Sequence, residues 1–313
     1  MDLCVTIKGV SFLLQTGMGI LGNTVVLLAY THIVCTGPKL LPVDMILCHL
    51  AFTNLLLLVT RGVPPSMTVF GLKALLNDPG CKVVISAYRI CRALSVCMTC
   101  MLSVFQAVTI TPTGPYLSRL KPSLPSLVIP TFAGLWLFNM AICISTPLFT
   151  MAPRNGTVSA FTIDLDFCIL DFRDNLSYVI NGVAIFGRDF AFVALMVGSS
   201  CYILLLLHRH SHQMKGIRRS QGGGAETRAA KAVLTLVVLY VVFFGIENVI
   251  WIYMLTLSKV SPVVADMRVF SSSCYASLSP YFIISSNKKV KAKIVCTAED
   301  KQPSADTQDS NDK

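Results

Sequence analysis

The stretch CKVVISAYRICRALSVCMTCMLSVFQAVTITP, residues 81–112, decides the fold. It is a long apolar helix candidate with Cys81 at its mouth, Arg89 and Arg92 inside it, and Phe105-Gln106-Ala107 close to its exit at Pro112. At about 1.5 Å of rise per residue it is long enough to cross a hydrocarbon core of about 30 Å. Each unusual part then needs a reason, because a guanidinium at the bilayer centre costs at least about 3 kcal/mol even on the mildest scale.

The rest of the chain repeats the theme. Of 313 residues 54% are hydrophobic and 13% charged, with a mean hydropathy of +0.66, far from the balance of an ordinary soluble domain. Seven runs are long enough to span: Val10 to Val34, Leu41 to Val59 (extendable to Phe70), Val83 to Thr111, Ser126 to Thr150, Val179 to Leu207, Ala229 to Leu257 and Val264 to Ser285. The expected architecture is an all-α membrane protein, a seven-transmembrane helix bundle. Residues 1–9 form a short amino-terminal segment, 10–286 the bundle and 287–313 a tail. The first run is too long for a signal h-region and lacks a small-residue cleavage site, so it serves as its own insertion signal.

The net charge of +10 is a topology signal. Lys39, Arg119, Lys121, Arg209, Lys215, Arg218, Arg219, Arg228, Lys231 and the lysines at 288, 289, 291 and 293 fall on one side of the seven-span arrangement. The other side has fewer cations (Lys8, Lys73, Lys82, Arg154, Arg173, Lys259, Arg268) mixed with aspartates. The positive-inside rule puts the amino terminus outside and the carboxyl terminus in the cytoplasm, with anionic lipid headgroups, not nucleic acid, as the partner of the basic side.

Most of the twelve cysteines lie inside the apolar runs, where they read as small packing residues. Cys97 and Cys100 form a CxxC, but no second pair or histidine cluster completes a metal or redox site, and no cofactor is expected. Cys81 and Cys168 differ: both fall on the oxidising outer side, where a disulfide forms and persists. The longest outer loop, 151–178, holds two glycosylation sequons, at Asn155 and Asn175. Gly222-Gly223-Gly224 reads as a flexible break in the third inner loop. Asn287 to Val295 suits a short amphipathic helix on the inner membrane surface or a solvated charge run, and the tail after Cys296 reads as disordered.

Seven spans, an outer amino terminus and a cysteine pair joining the third span to the second outer loop resemble a rhodopsin-like G-protein-coupled receptor. Gly22-Asn23, Trp136, Leu50-Ala51-Phe52-Thr53-Asn54 and Ser279-Pro280 occupy places of that class's first-, fourth-, second- and seventh-span motifs. Two motifs depart from it. The inner end of the third span has Phe105-Gln106-Ala107 in place of Asp-Arg-Tyr, and the sixth span has no Cys-Trp-x-Pro. With Pro42-x-Asp44-x-Ile46-x-x-His49-Leu50-Ala51, Thr60-Arg61-Gly62, Arg188-Asp189-x-x-Phe192-Val193, Leu207-His208-Arg209-His210, Glu226-Thr227-Arg228-Ala229 and Cys274-Tyr275-Ala276, these departures are similar to the vomeronasal type 1 receptors over residues 10 to 295. Bitter taste receptors also lack Asp-Arg-Tyr but differ in the Phe105-Gln106 and Ser279-Pro280 contexts.

The resemblance implies a pheromone receptor at the plasma membrane. A small organic pheromone or odorant binds from outside, and the inner face activates a heterotrimeric G protein of the Gi/Go class. It implies a Cys81–Cys168 bridge over the pocket and pocket positions at Tyr88, Arg89 and Arg92. Depth along the helices adds partners: Arg92 is roughly 16 Å from Cys81, Glu247 roughly 15 Å from the outer end of the sixth span, and Arg188 and Asp189 roughly 13 Å from that of the fifth. These groups either contact ligand or form an internal ion-pair network, while Leu94, Phe190, Ile250 and Tyr253 are expected to read the ligand's apolar parts. Gln106, Arg218, Arg219, Arg228 and Lys231 mark the G-protein face. Asp44 either opposes a helix dipole or joins that face. A transporter is the rival from another class, disfavoured by the lack of internal symmetry and of paired broken helices. An enzyme is disfavoured because His49 has no ligand-spaced partner and no nucleophile motif occurs.

Overall fold

A computed structural model describes residues 3–37, 40–69, 71, 76–112, 114, 117–153, 162–165, 167–214, 223–256 and 262–299. Its elements are α1 (Leu3–Cys35), α2 (Pro42–Val69), α3 (Asp78–Ile110), α4 (Leu117–Ile142), the short α5 (Thr146–Phe149), β1 (Thr150–Met151), β2 (Thr162–Asp164), β3 (Ile169–Asp171), α6 (Asn175–Met214), α7 (Gly223–Thr256), α8 (Pro262–Ser286) and α9 (Lys288–Glu299). Among the described residues six helices are long and apolar enough to cross a membrane. The seventh, α8, is diluted by Arg268 and by serines at 271, 272, 273, 277 and 279, yet it packs between α1, α2 and α7 and completes the seven-helix bundle.

The residues 81–112 form most of α3, and α3 is the axis of the bundle. Of its apolar window 67% is buried, against 17% for α4 and for α6. Asn77 starts the helix by accepting the Gly80 N–H at 3.0 Å, with Pro79 in the first turn. Lys121 closes the other end, donating to the Thr109 and Thr111 carbonyls at 3.0 and 2.6 Å, where helix-end carbonyls have no intrahelical donor.

The polarity gradient is that of a membrane bundle. Leu21, Leu28, Leu137 and Ile144 are turned outward, while Asn23, Asn54, Ser95, Thr99 and Ser279 are buried. The buried groups find one another: Asn54 donates to Ser279 at 2.9 Å and accepts from Ser95 at 2.6 Å, and Asn23 donates to the Ala276 carbonyl at 2.9 Å. Glycine lets α1 approach its neighbours. A Cβ on Gly19 would stand 2.6 Å from Leu58 Cδ1 and 2.9 Å from Ser277 Cα, and one on Gly22 would stand 2.8 Å from Pro280 Cγ.

The second span takes its extended form, running through Pro64 and Pro65 to Val69. Other boundaries differ from the sequence reading. The first helix starts at Leu3, ahead of Val10, with Lys8 in an ion pair with Asp266 of α8 at 2.6 Å. The fourth span is not one helix from Ser126 to Thr150: α4 ends at Ile142, a turn over Cys143–Ser145 admits Pro147, and α5 leads into β1. Gly223 and Gly224 are not a flexible break but the start of α7, where unpaired first-turn N–H groups make glycine tolerable; Gly222 lies outside the described residues.

At the far end from the disulfide, α9 extends to Glu299, past the expected Val295 and through Cys296. Asn287 caps it through the Lys289 and Val290 N–H groups. Asp44 of α2, 5% exposed, accepts from Asn287 Nδ2 and Lys289 Nζ, each at 3.1 Å, so the carboxylate is turned inward as a latch for α9.

Candidate functional site

The site is built under a lid. Cys81 in the first turn of α3 is bonded to Cys168, with Cα atoms 5.7 Å apart, which pins the three-stranded antiparallel sheet β1-β3-β2 across the disulfide end of the bundle. Phe167, Leu170 and Phe172 bury themselves against Ile85, and Phe172 meets the rings of Phe149 at 5.1 Å and Tyr178 at 5.6 Å. Asp78 holds the sheet's near strand by accepting the Ala152 N–H at 2.8 Å.

Beneath the lid lies a cavity of about 410 Å³. Its upper walls are apolar, from Ile163, Leu165, Leu170 and Phe172 of the loop and Val183 and Phe186 of α6. Its floor is ionic. Arg92 of α3 donates through Nη1 to Asp189 of α6 at 3.0 Å and through Nη2 to Glu247 of α7 at 2.9 Å. Arg188 reaches the other oxygen of Asp189 with Nε at 2.9 Å and Nη2 at 2.8 Å. One guanidinium therefore joins three helices, and each Asp189 oxygen is engaged. A buried ion pair survives only with such geometry, since the desolvation cost must be offset by hydrogen bonds at both partners.

Arg89, Tyr88, Arg92, Arg188, Asp189 and Glu247 all line this one cavity. Arg89 donates to Asn181 Oδ1 at 3.0 Å and Thr146 Oγ1 at 3.3 Å. The expected apolar readers are elsewhere, which corrects that expectation: Phe190 and Tyr253 are 58% and 51% exposed on the outside of the bundle, Leu94 is sealed in packing, and Ile250 does not line the cavity. Helical depth gives their level along the bundle but not the face they occupy. Sequence reasoning does not find the cavity's remaining polar lining: Arg61, Tyr178, Asn181, Asn248 and Arg268. Arg61 carries a signal, as a cation in the extension of the second span. Arg268 groups by sequence with the outer loop charges although it falls inside the seventh run, and in the structure it is on α8.

Below the floor, Tyr240 of α7 packs edge-on against Tyr275 of α8 at 4.9 Å, and the Tyr275 hydroxyl lies 2.6 Å from Thr99 Oγ1 of α3. Further toward the far end Ser103 shares hydrogen bonds with Ser199 at 2.8 Å and Ser200 at 3.0 Å, tying α3 to α6. Gln106 is 3% exposed in this packing and is not presented on the surface. Arg228 and Lys231 are exposed on α7, while Arg218 and Arg219 lie outside the described residues. His49, read as a packing residue, accepts the Trp136 indole N–H at 3.0 Å and stacks on Phe132 at 4.6 Å. Cys97 accepts from Asn139 at 3.5 Å within the core. Asn175 is exposed at the start of α6, and Asn155 lies outside the described residues.

Comparison with known proteins identifies the fold and the family. Squid rhodopsin superposes with a TM-score of 0.73 at 17% identity, covering 99% of this chain and 89% of that one, which shows the seven-helix receptor fold. Over 315 residues the chain is 66% identical to the olfactory receptor class A-like protein 1 of Danio rerio, covering all of both. It is 31% identical to the vomeronasal type-1 receptor 1 of Homo sapiens over 286 residues, 90% of this chain and 81% of that one. Family and fold are those of receptors, not enzymes. With residues 6–295 matched by its family model, the chain belongs to the vomeronasal organ pheromone receptor family.

Proposed function

We propose that the chain is a plasma-membrane chemosensory receptor, with its amino terminus and disulfide end outside and its carboxyl terminus in the cytoplasm. It binds a small organic pheromone or odorant in the 410 Å³ cavity and activates a heterotrimeric G protein of the Gi/Go class. The observation that carries the reading is that the cavity floor is itself the joint between α3, α6 and α7, made by Arg92, Asp189 and Glu247. A ligand resting on that joint has differential contacts with any two arrangements of the three helices, which is the requirement for shifting a conformational equilibrium.

The far end supports the same reading. Exposed Arg228 and Lys231 on α7 offer a basic face to the G protein, the cations Arg218 and Arg219 are expected to add to its charge, and Gln106 acts from within the packing behind it. Residues 287–313 are the cytoplasmic tail, with α9 lying on the inner leaflet. An extracellular position for the sequons at Asn155 and Asn175 makes both acceptors for glycan.

Reconstitution with purified G proteins tests this. An odorant identified by screening in cells should accelerate GTP exchange on Go or Gi and leave Gs and Gq unstimulated. Odorant-dependent solute flux without nucleotide exchange would instead make the chain a transporter.

A further inference from the structure

A second, smaller cavity of about 20 Å³ lies beneath the floor of the first. Arg92, Phe244 and Glu247 line both, so the ionic joint is the partition between them. Of the two cavities Tyr240 of α7, Ser95 of α3 and Ser271 of α8 line only the lower one.

Two polar atoms here have hydrogen-bonding capacity that the described residues do not use. Glu247 gives Oε2 to Arg92 at 2.9 Å, and its other oxygen accepts from no described residue. The Tyr240 hydroxyl, on a side chain 7% exposed, bonds to no described residue either, although its ring packs against Phe244 and Tyr275. Neither atom is sealed in packing, so each has space beside it, and for Tyr240 that space is the lower cavity. A buried polar group left without a partner costs free energy that one hydrogen bond offsets. The serines supply the complement. Ser95 Oγ donates to Asn54 at 2.6 Å and Ser271 Oγ to the Arg268 carbonyl at 3.1 Å, so each has used its proton and keeps a free lone pair.

We propose that the lower cavity is a water site, in which one water accepts from the Tyr240 hydroxyl and donates to Glu247 Oε1 and to one of the lining serine oxygens. About 10–15 Å³ suffices for a single water, and a buried water makes about three hydrogen bonds, so both the volume and the set of partners match. An organic group exceeds the space, and a cation there would lie against the Arg92 guanidinium. The bridge gives the joint a lower half. Asp189 has two ion-pair partners, whereas Glu247 has Arg92 alone among the described residues, and the water holds Glu247 from the other side of the floor. It also connects the joint to the chain beneath it, from Tyr240 through Tyr275 to Thr99. Such a bridge is enthalpically close to a direct hydrogen bond.

Full-length receptor in nanodiscs tests this in two measurements. A density map that resolves ordered water should show a peak within about 2.5–3.0 Å of Tyr240 Oη and Glu247 Oε1, present equally in sodium and choline buffers and lost or weakened in Tyr240→Phe. Radiolytic hydroxyl labelling, read by mass spectrometry on the wild type, needs no variant. A buried ring is oxidised when a water beside it is activated in place, so Tyr240 should be labelled several-fold more than Tyr30, a tyrosine only 1% exposed. Ser271→Val, which removes a lone pair and puts a methyl group toward the cavity, should suppress the labelling of Tyr240. A Tyr240 hydroxyl bonded directly to Glu247, a lower cavity closed by side chains, a peak that requires sodium, or Tyr240 labelled no more than Tyr30 would each overturn the water site.

Discussion

Arg92 Nη2 on α3 stands 2.9 Å from Glu247 Oε2 on α7, and the same guanidinium holds Asp189 of α6 at 3.0 Å. The three groups lie within long apolar helices, and each compensates the desolvation of the others. Glu247→Gln removes one charge and leaves Arg92 with Asp189 alone. Breaking a buried pair by removing one partner costs about 3–5 kcal/mol, and the loss here should be near the lower end because Asp189 remains. Thermal unfolding in detergent should show it. Arg92→Met should cost more, since it strands Glu247 and leaves Asp189 with Arg188 alone, and the double variant should cost less than the two singles together.

The lid depends on one covalent bond. Cys81→Ser or Cys168→Ser should destabilise the receptor by roughly 4.6 kcal/mol in the chain-entropy account for a loop of this length, 87 residues of separation. Reductant applied to the wild type should reproduce the effect, and ligand affinity should fall in parallel as the sheet comes free of α3. An unchanged melting temperature on reduction would count against a pinned lid.

Two glycines of α1 separate packing from propensity. Gly19→Ala pushes a methyl group against Leu58 and the Ser277 backbone and should destabilise by about 1–3 kcal/mol. Gly17 has open space around its Cβ direction, so Gly17→Ala should be neutral or stabilise by up to about 1 kcal/mol through helix propensity. Melting temperatures of the pair, measured side by side, check the close approach of α1 to α2 and α8.

Asp44 anchors α9 through Asn287 and Lys289. Asp44→Ala should leave the core intact, lower the melting temperature slightly and raise the mobility of a spin label on α9. Equal mobility in variant and parent would remove the latch from the account.

The bundle is legible in the sequence because the physics is one-dimensional there: a run of apolar residues long enough for the bilayer has one structural outcome. Depth along a helix is legible for the same reason, and it puts Arg92, Glu247, Arg188 and Asp189 in one layer that the structure closes into ion pairs. Azimuth is not legible. Phe190 and Tyr253 lie near the cavity's level but face outward, and apolar residues are spread so evenly around α6 and α7 that hydrophobicity alone carries almost no facial signal. The lid strands escape sequence reading because a sheet of two- and three-residue strands has no period to detect, and Pro147 alone hints that the fourth span breaks. Arg268 shows a different failure, in which a charge near a span's end is assigned to solvent when α8 carries it into the cavity wall.

The most direct measurement of the central claim, that the cavity above the Arg92 joint drives the G protein, is agonist-stimulated GTP exchange on Go by wild-type and Gly182→Leu receptors. Gly182 lines the cavity and a Cβ added there meets no atom within 4 Å, so leucine is the substitution chosen to occupy ligand space. The account predicts exchange stimulated by agonist in the wild type and abolished in the variant, with both proteins equally folded and expressed. Stimulation that survives undiminished in Gly182→Leu would contradict it.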